Sequence, residues 1–287
     1  MLSKEGKPVL ALSNTTRTCF DACEYRYYLR HKLDLVPLEA GSLAPYYGQA
    51  IHKSLAAFYK GKQREEIMKA FGEEYAKYFV EGRDEERTIS NGMIIIDEFI
   101  KRFEDDYLET VDVEVGASMI LEEEDVIYKC RIDRIAKWQG EKVVEDWKTS
   151  KYVGSSFTLI KPNNQFVGYA LGVREITNTN PYFFLTLIGT KMKKRFNEGE
   201  ERVEIVRDCV RFTEEDFTEF ELGLINTANR VRECEKENYW PKRTHSCPSF
   251  QGCEYLPLCK SPKSSFEEIA KQFYREEKWK DFEEGGE

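Results

Sequence analysis

The chain has 287 residues and is 41% hydrophobic, enough to bury one substantial core without disulfides or oligomerisation. A formal charge of −9 argues against a generic basic nucleic-acid coat, because phosphate contacts come from Lys and Arg; Lys191, Lys193, Lys194 and Arg195 form a local basic run. No stretch approaches the roughly 20 apolar residues that span a bilayer, and the opening residues Met1 to Lys7 lack the apolar run of a signal peptide, so a cytoplasmic location is expected.

With no internal repeat, low-complexity linker or Pro/Gly-rich hinge, one domain over 1–287 is the simplest reading. It divides into a helical amino-terminal part at about 15–110, a core at about 111–212, and a helix with a cysteine loop at about 213–287. Periodicity predicts helices from Thr15 to Arg30 and from Tyr47 to Tyr59, then two long charged segments up to Tyr107. Alternation then predicts strands over Val111 to Ile120, Asp125 to Lys137 and Lys142 to Thr149. A helix near Asn163 to Arg174 follows, then strands near Tyr182 to Lys191 and Arg202 to Phe212, and a helix from Glu214 to Lys236. A cysteine-bearing loop (Tyr239 to Lys260) and a charged helix from Ser265 complete the chain. Helices around a small, central, mixed β-sheet make this an α/β fold.

The most informative stretch runs from Cys130 to Lys148. Gly140 supplies the positive φ of a tight turn, so Gln139-Gly140 reads as a two-residue hairpin loop. Pairing about that loop sets residues whose numbers sum to 279 opposite one another, so Asp133 faces Asp146 at a Cβ separation of about 4.5–5.5 Å. Facing carboxylates repel and are best tolerated with a cation between them. Lys148 shares the Asp146 face, while Glu145 and Trp147 point the other way. Two carboxylates and a lysine on one face suit phosphodiester hydrolysis, in which Mg²⁺ or Mn²⁺ acidifies a water that the lysine positions. The same spacing also fits a solvated hairpin with incidental charges.

The order of several motifs resembles the RecB-like PD-(D/E)XK nucleases over nearly the whole chain. The family's helix with a glycine and a metal-ligand histidine resembles Tyr47-Gly48-Gln49-Ala50-Ile51-His52, and its isolated aspartate matches Asp133. Its (D/E)-x-K matches Asp146-Trp147-Lys148, and its Gln-x-x-x-Tyr helix matches Gln165 to Tyr169. Taken alone, His52 is as readily an ordinary surface or core residue. The resemblance implies a restriction-endonuclease-like core and a Mg²⁺/Mn²⁺-dependent DNA exonuclease acting on single strands or duplex ends. His52, Asp133 and Asp146 would hold metal, aided by the Trp147 carbonyl; Lys148 would assist the attacking water, and Gln165 and Tyr169 would reach the active site or the DNA backbone. Many relatives carry a glycine shortly before the first aspartate, where this chain has Cys130 and Arg131.

Cys247, Cys253 and Cys259 lie in a loop with Pro248, Phe250, Tyr255 and Pro257, which suits wrapping around a metal centre. The segment from Cys23 to Leu29 resembles the amino-terminal cysteine segment of the family's iron–sulfur subgroup, seen in AddB-type helicase–nucleases and CRISPR-adaptation exonucleases. By that resemblance Cys23, Cys247, Cys253 and Cys259 would hold a 4Fe-4S cluster. Four thiolates also fit structural zinc, and Cys19, one helical turn before Cys23, is the rival fourth ligand. Cys130, Cys209 and Cys234 read as ordinary buried thiols. The competing functions are a non-catalytic nucleic-acid-binding subunit and a structural zinc protein with a fortuitous hairpin.

Overall fold

The computed structural model describes residues 9–39, 41–121, 125–153, 160–161, 163–193, 202–248 and 252–278. Lys194, Arg195 and Phe250 lie outside the described residues. The chain forms two compact units, one of residues 1–41, 118–130 and 217–287, the other of 42–117 and 131–216.

The first unit begins with β1 (Leu10–Ser13), parallel to the start of β4 (Val126–Trp138) from Leu10↔Val126 to Ser13↔Lys129. Ser13 then caps α1 (Asn14–Ala22) in a reciprocal box with Thr16. The single helix predicted from Thr15 to Arg30 is broken at Cys23, whose φ of −167° and ψ of 116° are extended. The short α2 (Glu24–Tyr27) and a π-helical turn at Tyr28–Lys32 follow, and then β2 (Leu35–Pro37). No glycine or proline marks the break, so periodicity runs straight through it. Late in the chain come α7 (Glu214–Glu237), α8 (Leu256–Lys260) and α9 (Phe266–Phe273). The terminal helix ends sooner than predicted, and β8 (Tyr274–Glu276) pairs antiparallel with β2. Strands of three or four residues are too short to show alternation, so β1, β2 and β8 leave no sequence signal. Phe20, Tyr27, Val231 and Trp240 form one core of this unit.

In the second unit α3 (Ala44–Tyr59), α4 (Arg64–Tyr75) and α5 (Ile89–Phe103) bury Tyr47, Leu55, Phe71, Tyr75, Ile95 and Phe99 together with Trp147. A Cβ at Gly92 would lie 2.0 Å from the Phe71 ring, so the bare glycine backbone lets that ring lie against α5. The second half of β4 and β5 (Glu141–Ser150) form the expected hairpin, paired from Arg134↔Glu145 to Trp138↔Glu141. Gln139 and Gly140 take φ of 52° and 84°, the left-handed pair that matches strand twist in a two-residue turn. α6 (Asn164–Thr177) carries the chain across to β6 (Tyr182–Gly189), parallel to β5, and β7 (Ile205–Arg211) adds antiparallel to β6. β3 (Glu109–Leu121) also pairs with β4. The result is the mixed sheet flanked by helices that the sequence predicts. Among the described residues no helix is long and apolar enough to cross a membrane.

Candidate active site

Just beyond the last ladder pair, the β4–β5 hairpin presents Asp133 and Asp146 in the predicted register. Asp133 Oδ2 accepts the Trp147 backbone N–H at 2.9 Å, and its Oδ1 lies 3.1 Å from His52 Nδ1. Asp146 Oδ1 accepts from Lys148 Nζ at 2.8 Å. Its Oδ2 is buried and ion-paired to the same ammonium at 2.6 Å. His52 reaches the hairpin because α3 runs close to β5: a Cβ at Gly48 would approach Thr149 Oγ1 to 3.3 Å. The structure thus brings His52, Asp133, Asp146 and Lys148 together. Gln165 Nε2 donates to the Tyr169 hydroxyl at 2.7 Å on α6, and Phe166, next to Gln165, has its ring 5.9 Å from the Lys148 ammonium.

The two carboxylates are pushed apart in acidity. Burial raises Asp146 to about 6, with the Asp133 charge adding to it against the pull of Lys148. Burial also pushes Asp133 upward, but the His52 imidazolium, Lys148 and the Trp147 N–H more than offset it and hold Asp133 below the ordinary carboxylate range. Burial alone would lower His52, yet Asp133 holds it above its usual value. Their surroundings therefore make Asp146 the weaker and Asp133 the stronger acid of the pair.

Beside this group lies a cleft of about 350 Å³ whose walls include Gly48, Gln49, His52, Arg131, Lys148 and Thr149. Arg131 is two residues before Asp133, so strand alternation could have flagged it. In the sequence it registers only as a departure from the family's glycine; in the fold it puts a cation on the cleft wall.

The opposite face of β5 holds an unforeseen ionic cage. Arg134 is 0% exposed and donates to Glu145 and Asp106 at 2.8 Å each and to the Leu108 carbonyl at 2.7 Å. From β7, Arg207 donates to Asp106 at 2.7 Å and pairs with Glu145 at 2.8 Å, and Thr186 completes the Glu145 shell. The Arg134 guanidinium lies 3.7 Å from the centre of the Tyr59 ring, whose plane is within 13° of Trp147 at 5.6 Å. Trp147, between Asp146 and Lys148, is thus clamped from behind.

The cysteines fall in the first unit. Cys23, Cys247, Cys253 and Cys259 all line one cavity of about 200 Å³, with Arg26 and Lys242 among its other walls. The Arg243 N–H donates to Cys23 Sγ at 3.4 Å. Cys19 lies on a different cavity with Arg26 and Glu254, and burial pushes its thiol up to about 12. Burial likewise raises Cys259 to about 11. Among the described residues no group of three or more His, Cys, Asp or Glu side chains is placed to hold a single metal ion. Cys130 and Cys234 are buried as expected, but Cys209 is exposed, because it lies on the edge strand β7.

No curated protein matches the chain. Among solved structures it is similar to a "Putative exonuclease" from Eubacterium rectale, with a TM-score of 0.54 and 16% identity over 90% of this chain and 92% of that one. It also aligns with LHK-Exo in complex with dAMP, with a TM-score of 0.31 and 11% identity over 68% of this chain and 94% of that one. The first likeness shows a shared fold. The family model described as the PD-(D/E)XK nuclease superfamily matches residues 11–260, a span that holds both carboxylates, the lysine, His52 and the Gln165–Tyr169 pair. The chain belongs to the PD-(D/E)XK nuclease superfamily.

Proposed function

We propose that the protein is a Mg²⁺- or Mn²⁺-dependent DNA exonuclease acting on single strands or duplex ends. The observation that carries this reading is the β4–β5 hairpin's pair of buried carboxylates, Asp133 and Asp146, brought beside His52 and the Lys148 ammonium. A divalent cation there would draw on His52, Asp133, Asp146 and the Trp147 carbonyl once Lys148 and the His52–Asp133 contact give way, since the described side chains as placed form no ready three-ligand set, and it would supply charge to acidify a water. The protein's own part is positional. The Trp147 N–H orients Asp133, and Lys148, released from Asp146, steadies the attacking oxygen. Gln165 and Tyr169 face the DNA, and the Arg131 cation meets a phosphate. A binding subunit has no use for a buried carboxylate of raised pKa opposite a lysine. Incubating end-labelled single- and double-stranded DNA with the protein and Mn²⁺, Mg²⁺ or EDTA tests the assignment; no cleavage under any condition defeats it.

His52→Ala should raise the Mn²⁺ concentration for half-maximal cleavage by about tenfold or more, while DNA affinity in EDTA stays within about twofold. An unchanged Mn²⁺ midpoint returns His52 to an ordinary structural residue.

We also propose that the four-cysteine cavity holds a 4Fe-4S cluster. Four thiolates on one zinc ion at about 2.3 Å would bring their sulfurs within about 4 Å of each other. Cysteines arranged around a cavity of about 200 Å³ instead suit a polynuclear centre. The same segments are also held by protein contacts: Glu24 pairs with Arg230 and Arg243, Arg26 donates to Glu254 at 2.8 Å, and Tyr255 donates to the Leu35 carbonyl at 2.7 Å. Cys23→Ser and Cys253→Ser are therefore expected to give colourless protein with less iron and a melting temperature lower by about 5 °C or more, without complete unfolding. Cys19→Ser and Cys209→Ser should keep brown colour and iron. Iron analysis decides it: loss of iron from Cys19→Ser alone would move the fourth ligand, and zinc in its place would identify the other metal.

A further inference from the structure

In the first unit a ladder of aromatic rings is left open along one side. Tyr25 and Tyr28 stack at 6.0 Å, and Tyr28 stacks on Trp240 at 5.4 Å with 24° between planes. With Tyr239, Lys242 and Phe266 these rings line a cavity of about 700 Å³, within the roughly 300–1,000 Å³ range of sites that engulf a small ligand. A second cavity of about 520 Å³ shares Leu33, Phe266 and Glu267 with the first and adds Lys271, so the groove continues past Phe266. Trp240 anchors the ladder in the core and Tyr25 and Tyr28 are half-buried, while the neighbouring Tyr239, outside the ladder, is 64% exposed at the rim. Lys242 reaches over the Tyr25 face at 4.9 Å, and Lys263 is exposed on the same wall.

We infer that this groove binds a segment of single-stranded nucleic acid, with a base stacked on the exposed Tyr239 ring and phosphates against Lys242, Lys263 and Lys271. Flat aromatic faces accept any base, which matches sequence-tolerant strand binding. Three lysines supply charge of the right sign, and Glu267 and Glu276 on the walls limit it, so stacking carries more of the affinity than phosphate contacts do. The choice of nucleic acid over another flat ligand rests on the nuclease reading, but the groove itself is separate from the carboxylate site.

The test is fluorescence anisotropy of labelled oligo(dT) with the full chain in EDTA, where no cleavage can occur. Tyr239→Ala, an exposed change, should weaken binding by about tenfold. The plot of log K against log salt should have a slope of about −2 for three phosphate contacts on a single strand, and Lys263→Ala should make it shallower by about 0.7. Melting temperatures equal to wild type confirm that both variants fold. Wild-type affinity in both overturns the proposal, as does a proline-rich peptide that binds the protein and is not displaced by oligo(dT). Tyr239-dependent binding without cleavage in Mn²⁺ would sink only the nuclease reading; intact cleavage with Tyr239-independent binding would sink only the groove.

Discussion

Asp146→Asn should abolish DNA cleavage, by about a hundredfold or more, and yet raise the melting temperature of the metal-free protein at pH 7.5. The catalytic loss follows from removing a metal-binding carboxylate, and Lys148→Ala should lose activity to a similar extent. The stabilisation follows from linkage. Asp146 has its folded pKa raised to about 6 from an ordinary 3.8, chiefly by burial. A carboxylate shifted upward favours the native state only while protonated. Its contribution is full below the unfolded value and is lost as pH rises through about 6, a change on the order of 3 kcal/mol. Asp133, lowered, works in the opposite sense and only at more acid pH. Wild-type protein in EDTA should therefore lose stability between about pH 4 and 6, Asp146→Asn should lose less, and Mn²⁺ should restore the wild type but not the variant. Lys148, 35% exposed, can turn to water when its partner is neutralised. Identical pH–melting curves for the two proteins, or retained cleavage, would count against the site.

The largest stability effect is expected at Arg134. Arg134→Met leaves Glu145 with one of its two arginines gone in a dry interior, and breaking such a pair typically costs about 3–5 kcal/mol. The double variant Arg134→Met/Glu145→Leu should recover much of that, because Arg207 and Asp106 still satisfy each other at 2.7 Å. Urea midpoints at constant slope measure both. Arg134→Met should also weaken Mn²⁺ binding by loosening Tyr59 against Trp147, whereas a purely structural cage would leave the metal midpoint unchanged. A cost below about 1 kcal/mol for the single change would show that the cage does not hold the strand.

The hairpin was legible because two local signals agreed: a glycine with positive φ and strict alternation on either side fixed the register without tertiary information. The same arithmetic pairs Arg134 with Glu145, yet in sequence these look like two more surface charges. Only the arrival of Arg207 from β7 and Asp106 from the segment before β3 makes them a buried cage, and nothing local encodes that meeting. The break at Cys23 and the strands β1, β2 and β8 were illegible for a related reason: each is too short to carry a period, and long-range pairing sets it. His52 and the cleft wall formed by Arg131 fall between these cases, on elements that were predicted but with a packing that Gly48 alone hints at.

Charges of opposite character on the two faces of β5 also make the strand a proofreader of its own alignment. A slip of one residue against β4 would send Glu145 to the carboxylate side and deliver Lys148 toward the two arginines, Arg134 and Arg207, in an interior with little water to screen them. An apolar strand can slide and still bury itself. This one has a single alignment in which Glu145 meets the two arginines and Lys148 meets Asp146, so misfolded pairings are penalised on both faces at once and the hydrolytic residues arrive in place as a by-product of correct folding.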